Sequence, residues 1–240
     1  MTPSNLQQLD CAIVACRLCP RLVEYREKVA LQKVHRYRDL PYWGKPVPGF
    51  GDPHAQVVII GLAPGAHGSN RTGRMFTGDR SGEWLYEALF HYGFASQPRS
   101  LDRQDGLELK DAYITAAVRC APPDNKPSTG EKDTCRPYLV RELQSFQGAR
   151  VVLALGGIAV ESYWKARRDA GQSLGWRTRQ KDDWKTSRPL FGHALEYFLR
   201  EGPTLLCSYH PSQQNTQTGR LTRAMFHSVF ARVRRLVDAS

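Results

Sequence analysis

The sequence predicts an α/β fold, a three-layer α/β/α sandwich with a central four-stranded parallel sheet. Four short apolar runs alternate with segments whose apolar residues recur at helical spacing, which is typical of a parallel sheet covered by helices. Three of these runs end in loops with unusual polar residues, and open α/β sheets build their sites at the carboxyl ends of strands. The 240 residues, 41% of them hydrophobic, are predicted to form a single domain over residues 1–240.

The predicted elements follow in chain order. Residues 1–30 have a partly apolar helical pattern that should break at Cys19-Pro20, because α conformation is disfavoured before proline. Residues 37–51, with three prolines and three glycines, are expected to be a loop. The four predicted strands are residues 57–60, 112–118, 151–155 and 204–208. Helices are expected at about 84–92, at 131–144 with Ser128 or Thr129 as cap, from about 159 to 164, and at 222–237.

The longest loop, residues 61–79, follows the first predicted strand and precedes a helix. Its sequence is GLAPGAHGSNRTGRMFTGD, and its five glycines let the backbone approach a flat or anionic ligand closely. It contains neither the Gly-x-Gly-x-x-Gly pattern of dinucleotide-binding folds nor the Gly-Lys-Ser/Thr of a P-loop. The loop is therefore predicted to serve a different kind of ligand.

The formal net charge is +11, with an isoelectric point near 9.6. Such an excess favours nucleic acid as the partner, because Lys and Arg neutralise phosphates and release counterions. A surface biased for solubility or rich in ion pairs is the alternative. Residues 165–187 are especially basic and are interpreted as a surface excursion, part helix and part loop, that either adds phosphate contacts or is a simple insertion. No apolar run approaches the roughly 20 residues of a membrane span, and no secretory signal is evident, so we expect a cytoplasmic protein.

Four of the six cysteines form two pairs. Cys16 and Cys19 have a Cys-x-x-Cys spacing, and fourteen residues separate Cys120 from Cys135. In a protein that is expected to be cytoplasmic, paired cysteines favour a metal site over disulfides. By number alone, four thiolates suit a zinc ion or a [4Fe–4S] cluster equally well. Cys207, in the fourth predicted strand, is expected to be a small core residue.

Three loops resemble those of a known family. Residues 61–79, the sequence CAPPDNKP at 120–127 and the sequence YHPSQQN at 209–215 are similar to motifs of the uracil-DNA glycosylase superfamily, and more narrowly of its iron–sulfur type-b branch, family five. The resemblance implies a [4Fe–4S] cluster held by Cys16, Cys19, Cys120 and Cys135. It also implies DNA as the partner.

The resemblance further implies roles in a base pocket. Phe76 would stack on an extruded base, and the backbone of Gly65 and Ala66 would line the pocket. Asn125 would read the base edge or hold water, and His210 would donate a hydrogen bond to the pyrimidine O2, stabilising the departing base anion. The alternatives are a core anchor for Phe76, a turn residue for Asn125 and a satisfied loop histidine for His210.

Asp79 is the acid that the resemblance identifies as the residue positioning the attacking water. It also lies two residues before Ser81 and could cap the next helix, so both roles stay open. The segment after His210 would enter the minor groove and help to hold the nucleotide out of the stack. The predicted DNA-binding residues are Arg71, Ser212, Gln213, Asn215 and Arg220.

The sequence thus predicts a monomeric, monofunctional DNA glycosylase. It would remove uracil and would have no lyase activity. Because no amide side chain lies directly behind the first strand, the pocket could also accept hypoxanthine or xanthine. Two other functions stay open: a non-catalytic DNA-damage-binding protein on the same fold, and a zinc-stabilised nucleic-acid-binding module. A small-molecule nucleoside hydrolase is disfavoured by the +11 charge.

Overall fold

The computed structural model describes residues 3–179 and 181–239. Within these residues, eight strands form one sheet in the order β1-β3-β2-β4-β8-β7-β5-β6. The strands are β1 (Phe50–Gly51), β2 (Val57–Gly61), β3 (Ala112–Ala116), β4 (Val151–Leu155), β5 (Trp176–Thr178), β6 (Lys181–Lys185), β7 (Glu196–Leu199) and β8 (Thr204–Ser208). The helices are α1 (Pro3–Val14), α2 (Pro20–Gln32), α3 (Ser69–Thr72), α4 (Arg80–His91), α5 (Thr129–Ser145), α6 (Gly157–Asp169), α7 (Gln213–Gln217) and α8 (Arg223–Asp238).

The predicted four-stranded parallel sheet is confirmed as the centre of this larger sheet. β3, β2, β4 and β8 are neighbours and run parallel, with Ile59 opposite Ile114 on one side and Leu153 on the other. β4 and β8 have the predicted bounds, whereas β3 ends at Ala116, two residues early. Beyond that point the chain follows β2 as a loop, in which the Ala117 and Val118 amides donate to the carbonyls of Gly61 and Leu62.

Helices cover both faces of the sheet, as the three-layer prediction requires. Because strand side chains alternate between faces, Val57 and Ile59 pack with α4 and α8 in one apolar core. Val58 and Ile60 pack with α5 and α6 in the other. The predicted break before Pro20 is also confirmed, since α1 ends at Val14 and α2 begins at the proline. In the part of the chain that is described, no helix is both long and apolar enough to cross a membrane.

The prediction for residues 165–187 is wrong in part. After α6 ends at Asp169, the chain forms the antiparallel pair β5–β6, which joins β7 and extends the sheet beyond β8. β6 lies at the sheet edge. Its sequence, KDDWK, lacks the alternating apolar pattern by which strands are predicted. The pairing partners, and not the local sequence, make this segment a strand.

Candidate active site

A cleft of about 1020 Å³ opens where the loops after β2, β3, β4 and β8 meet. These are the carboxyl ends of the parallel strands, the expected place for a site in such a sheet. The fold thus brings together eight of the residues predicted to act on DNA or on the base. They are Gly65, Ala66, Phe76, Asp79, Asn125, His210, Ser212 and Gln213.

Phe76 and His210 form the aromatic centre of the cleft. Their rings are stacked, with centroids 5.6 Å apart and an angle of 29° between the planes. Phe76 has a φ of +52°, which is unfavourable for a residue with a Cβ. Its carbonyl oxygen lies so close to Gly82 that a Cβ there would be 1.7 Å away, and a Cβ on Gly61 would be 2.9 Å from the ring. Phe76 is therefore both a core anchor and a wall of the cleft, and the two interpretations are compatible.

His210 is held by its backbone and leaves its ring available. Its carbonyl oxygen accepts a 2.8 Å hydrogen bond from the Asn215 side chain. No group in residues 3–179 or 181–239 hydrogen-bonds to the imidazole, which instead stacks on Phe76. Burial lowers the pKa of His210 to about 4, so the ring is neutral at physiological pH. A neutral imidazole still carries one N–H and can donate it to a ligand.

Asp79 is the N-cap of α4, so the capping interpretation is confirmed. Its Oδ1 accepts a 3.0 Å hydrogen bond from the Gly82 amide. Its other oxygen, Oδ2, faces the loop after β2, where a Cβ on Gly65 would lie 3.0 Å away and one on Gly68 only 2.2 Å away. Burial raises the pKa of Asp79, against the opposing effect of the Gly82 and Ser81 amides. One oxygen caps the helix while the second lies beside the predicted base-binding backbone.

Asn125 lies in a short 3-10 helix, Pro123–Asn125, at the rim of the cleft. Both Asp124 (φ +53°) and Asn125 (φ +55°) have left-handed backbone conformations, which Asn and Asp tolerate better than most residues. The turn interpretation is therefore borne out by the geometry. The exposed amide side chain also lines the cleft, where it can reach a ligand.

The predicted DNA-binding residues after β8 divide into two groups. Ser212 caps α7 by accepting from the Asn215 amide at 3.4 Å, and Asn215 holds the carbonyl of His210. These two residues organise the loop. Gln213, at the cleft, and Arg220, whose guanidinium lies 4.7 Å from the centre of the Tyr209 ring, are exposed.

Arg71 is placed inside the loop after β2. Its Nε donates to the His67 carbonyl at 2.9 Å, and its Nη2 donates to the Gly78 carbonyl at 3.3 Å. Its guanidinium also lies 4.2 Å from the centre of the Tyr37 ring. The side chain therefore joins two parts of the loop, around His67 and Gly78.

Sequence reasoning did not find one wall of the cleft. Tyr25, Arg36 and Tyr37 line it from α2 and the segment that follows. His67, which also lines the cleft, is held by Tyr42, whose hydroxyl is 3.0 Å from Nδ1. These tyrosines come from residues with no motif, so only the folded chain brings them to the site.

The four predicted ligand cysteines line a single small cavity of about 20 Å³. Cys16 and Cys19 lie at the junction of α1 and α2, Cys120 follows β3 and Cys135 lies in α5. Their four thiols are a donor set that suits a metal or an iron–sulfur cluster. Burial raises the pKa of Cys120 to about 11 and that of Cys135 to about 12, so both are protonated unless a metal binds.

Two hydrogen bonds to sulfur support this donor set. Arg26 Nη1 donates to Cys120 Sγ at 2.9 Å, and the Arg119 amide donates to Cys135 Sγ at 3.3 Å. Over the described residues, no three His, Cys, Asp or Glu side chains form a group that could hold a metal ion. Cys207 is fully buried in β8, as predicted.

Comparison with known proteins identifies the family. Residues 48–234 match the model of the uracil DNA glycosylase superfamily. A type-5 uracil-DNA glycosylase of Thermus thermophilus is 50% identical over 224 residues, covering 93% of this chain and 94% of the relative. One of Mycobacterium tuberculosis is 47% identical over 234 residues, covering 97% and 82%. A type-4 enzyme of Pyrobaculum aerophilum is 30% identical over 172 residues, covering 71% and 70%. The chain belongs to the uracil DNA glycosylase superfamily, the family that its three loops resemble.

Proposed function

We propose that this protein is a monofunctional DNA glycosylase that hydrolyses the N-glycosidic bond of uracil in DNA. The observation that carries the proposal is the meeting, in one cleft, of an aromatic wall, a neutral histidine and a partly buried carboxylate. The relatives named uracil-DNA glycosylases, matched over 82% and 94% of their lengths, support the same substrate. The +11 charge suits a DNA partner. We further propose that the enzyme acts as a monomer inside the cell.

Binding begins with extrusion of the base into the cleft. Stacking on Phe76 contributes on the order of 1–3 kcal/mol, which offsets part of the few kcal/mol that unstacking the nucleotide costs. The backbone of Gly65 and Ala66 can approach the base closely because neither residue has a long side chain. Asn125, which lines the cleft, hydrogen-bonds to the base edge in this mechanism.

His210 stabilises the leaving group. When the bond between the sugar C1′ and the base nitrogen breaks, the electron pair stays on the base, and negative charge develops at the pyrimidine O2. The imidazole is neutral and its ring has no other partner in the described chain, so its N–H can donate to that oxygen. One such donor contributes roughly 3 kcal/mol to the transition state.

Asp79 acts on the sugar side of the bond. Its Oδ2, beside Gly65 and Gly68, positions a water molecule for attack on C1′ and accepts its proton, while its charge stabilises the cationic sugar. The helix-capping bond to Oδ1 fixes the carboxylate orientation. Because the attacking nucleophile in this mechanism is water and not an amine, the expected product is an abasic site without strand cleavage.

We also propose that Cys16, Cys19, Cys120 and Cys135 hold a [4Fe–4S] cluster. The four thiols line one cavity and supply the donor number of a [4Fe–4S] cluster, and the resemblance of the three loops to the iron–sulfur branch favours a cluster over a single zinc ion. When bound, this group would cross-link the α1–α2 junction, the loop after β3 and α5. Colour, iron and acid-labile sulfide in purified protein test this assignment, and stoichiometric zinc would refute it.

Deaminated purines are proposed as further substrates. The residues that follow β2 and line this part of the cleft are Leu62, Ala63, Gly65 and Ala66, none of which has a side-chain amide to select a pyrimidine. Release of hypoxanthine or xanthine at a rate within about tenfold of uracil release would support a relaxed pocket. Strict preference for uracil would refute it.

The deciding experiment is base release from matched oligonucleotides that carry one uracil, hypoxanthine, xanthine or thymine. Protein purified anaerobically should release free uracil and leave an alkali-labile site, whereas the thymine control should stay intact. Tight binding to the uracil oligonucleotide without release would support the damage-binding alternative. Strand cutting before alkali treatment would contradict the monofunctional assignment.

A further inference from the structure

Arg26 of α2 lies between the cysteine cavity and the loop after β2, and it contacts both. The residue is only 2% exposed. Its Nη1 donates to Cys120 Sγ at 2.9 Å and its Nη2 donates to the Cys16 carbonyl at 3.2 Å. Its Nε is buried without a partner in the described chain. A full positive charge therefore lies against the proposed cluster ligands.

The charge of Arg26 has little compensation from carboxylates. Among the described residues, Glu27 alone comes within ion-pair distance, with Oε1 3.7 Å from Nη2. That carboxylate is 40% exposed and lies closer to Arg17, at 2.5 Å. A buried cation is costly without an anion, and a neutral thiol is a weak acceptor. Metal-bound thiolates would supply the missing negative charge.

The backbone of the same residue supports the base pocket. The Arg26 carbonyl accepts a 3.2 Å hydrogen bond from the side chain of Asn70, which is fully buried in α3. The backbone N–H of Asn70 donates to the Gly65 carbonyl at 3.0 Å. The Asn70 side chain also donates to the Ala66 carbonyl at 3.4 Å. Gly65 and Ala66 are the backbone that the proposed mechanism places against the base.

We propose that Arg26 is a positioning residue that couples the cysteine site to the base pocket. Its guanidinium stabilises the anionic cluster ligands, and its carbonyl, through Asn70, fixes the Gly65–Ala66 backbone. The proposal rests on the [4Fe–4S] assignment made above. It predicts that each half of the link can be broken separately.

The cluster half is tested with Arg26→Met, which removes the charge, and Arg26→Lys, which keeps it. Arg26→Met should lower the midpoint reduction potential, because the reduced and more negative cluster loses a nearby cation and a hydrogen bond to sulfur. It should also lose iron to a chelator about 10- to 100-fold faster than wild type. Arg26→Lys should retain iron and show a smaller shift. The exposed neighbour Arg17, as Arg17→Met, is the matched control and should behave as wild type.

The loop half is tested with Asn70→Ala. This variant should keep the iron content, visible spectrum and reduction potential of the wild type, while kcat for uracil release falls about tenfold or more. Wild-type kcat would overturn the loop half. For Arg26→Met, wild-type potential and iron retention would overturn the cluster half.

The cluster and the glycosylase function can fail separately from this coupling. Zinc or no metal in the wild-type protein would refute the cluster and the proposal built on it. Uracil release from the same sample would leave the glycosylase function standing. Absence of base release from iron-loaded wild type would refute the function, whereas the iron-retention comparison would still test Arg26.

Discussion

At the scale of single residues, Asp79 combines a helix cap with a carboxylate oxygen beside the base pocket. The two roles can be separated, because Asn caps a helix about as well as Asp. Asp79→Asn should abolish uracil release while retaining or increasing the free energy of unfolding at pH 7, since a buried charge is removed. Asp79→Ala should abolish release and also lose about 1 kcal/mol from the missing cap. Denaturant unfolding and base release on both variants measure this, and an active Asp79→Asn would leave the cap as the sole role.

Between pH 6 and 8 the activity should show no ionisation of His210. Burial raises the pKa of Asp79, so its active anionic form is lost as pH falls through a value above 3.8. The pKa of His210 is about 4, so its ring stays neutral above about pH 5. We expect kcat/KM, measured as a function of pH, to fall on the acid side as Asp79 is protonated and to show no loss from ionisation of His210 between pH 6 and 8.

The lowered pKa of His210 also affects stability. The unfolded histidine, with a pKa of about 6.5, binds a proton that the folded one does not. The free energy of unfolding should therefore decrease as pH falls from about 6.5 toward 4. His210→Gln should remove this contribution, and unfolding measured at pH 7 and pH 5 compares the two proteins. An identical pH dependence in wild type and variant would contradict the burial of a neutral ring.

Gly68 is required by the position of the Asp79 carboxylate. A Cβ at Gly68 would lie 2.2 Å from Oδ2 and 2.8 Å from the carboxyl carbon, so the carboxylate must move. Gly68→Ala should reduce kcat about 100-fold, the effect of displacing a catalytic group by roughly 1 Å. Gly148→Ala is the matched control, because a Cβ there meets no atom within 4 Å. Equal rates for the two variants would argue against Asp79 in the reaction.

At the scale of elements, α5 shows how a local interaction supports a distant site. The sequence left Ser128 and Thr129 as alternative caps, and the structure shows that Ser128 forms a capping box with Glu131. Glu131 also pairs with Arg21 of α2, at 2.8 and 2.7 Å, so the cap joins α5, which carries Cys135, to the helix that begins directly after Cys19.

Ser128→Ala should therefore lower the free energy of unfolding by about 1 kcal/mol, because the Glu131 amide loses its acceptor. Thr129→Ala, one residue along, should change stability by less than about 0.5 kcal/mol. Urea unfolding of the two variants provides the comparison. Equal destabilisation would show that the serine hydroxyl is not the cap that matters.

At the scale of the whole molecule, the net charge of +11 should make DNA binding strongly salt-dependent. Arg220 is exposed next to the loop that carries His210, and Arg220→Ala should reduce the slope of log affinity against log salt by about 0.9. Arg235 is the control. Arg235 lies near the end of α8. In this part of the helix, the Val237 carbonyl accepts a hydrogen bond from Arg150, which comes just before β4. The end of α8 therefore lies at the side of the sheet opposite the cleft. Arg235→Ala should leave the slope unchanged, and equal slopes for both variants would argue against a DNA contact at Arg220.

The sequence by itself determined the central sheet, the order of its loops and the family. Each of β2, β4 and β8 is a short run of mostly apolar residues, and such a run predicts a strand that is buried on both faces. The glycines of residues 61–79 and the spacing of the cysteines are local features too. Local patterns of this kind can be recognised in the sequence without knowing which distant segments contact each other.

The tertiary structure alone decided which atoms of these residues face the cleft. One oxygen of Asp79 caps a helix while the other faces the glycine-rich loop, and the Arg71 guanidinium donates to two loop carbonyls. Arg26 reaches Cys120, 94 residues away, and β6 becomes a strand because β5 pairs with it. These outcomes depend on contacts between segments far apart in the chain, and local propensity carries no information about them.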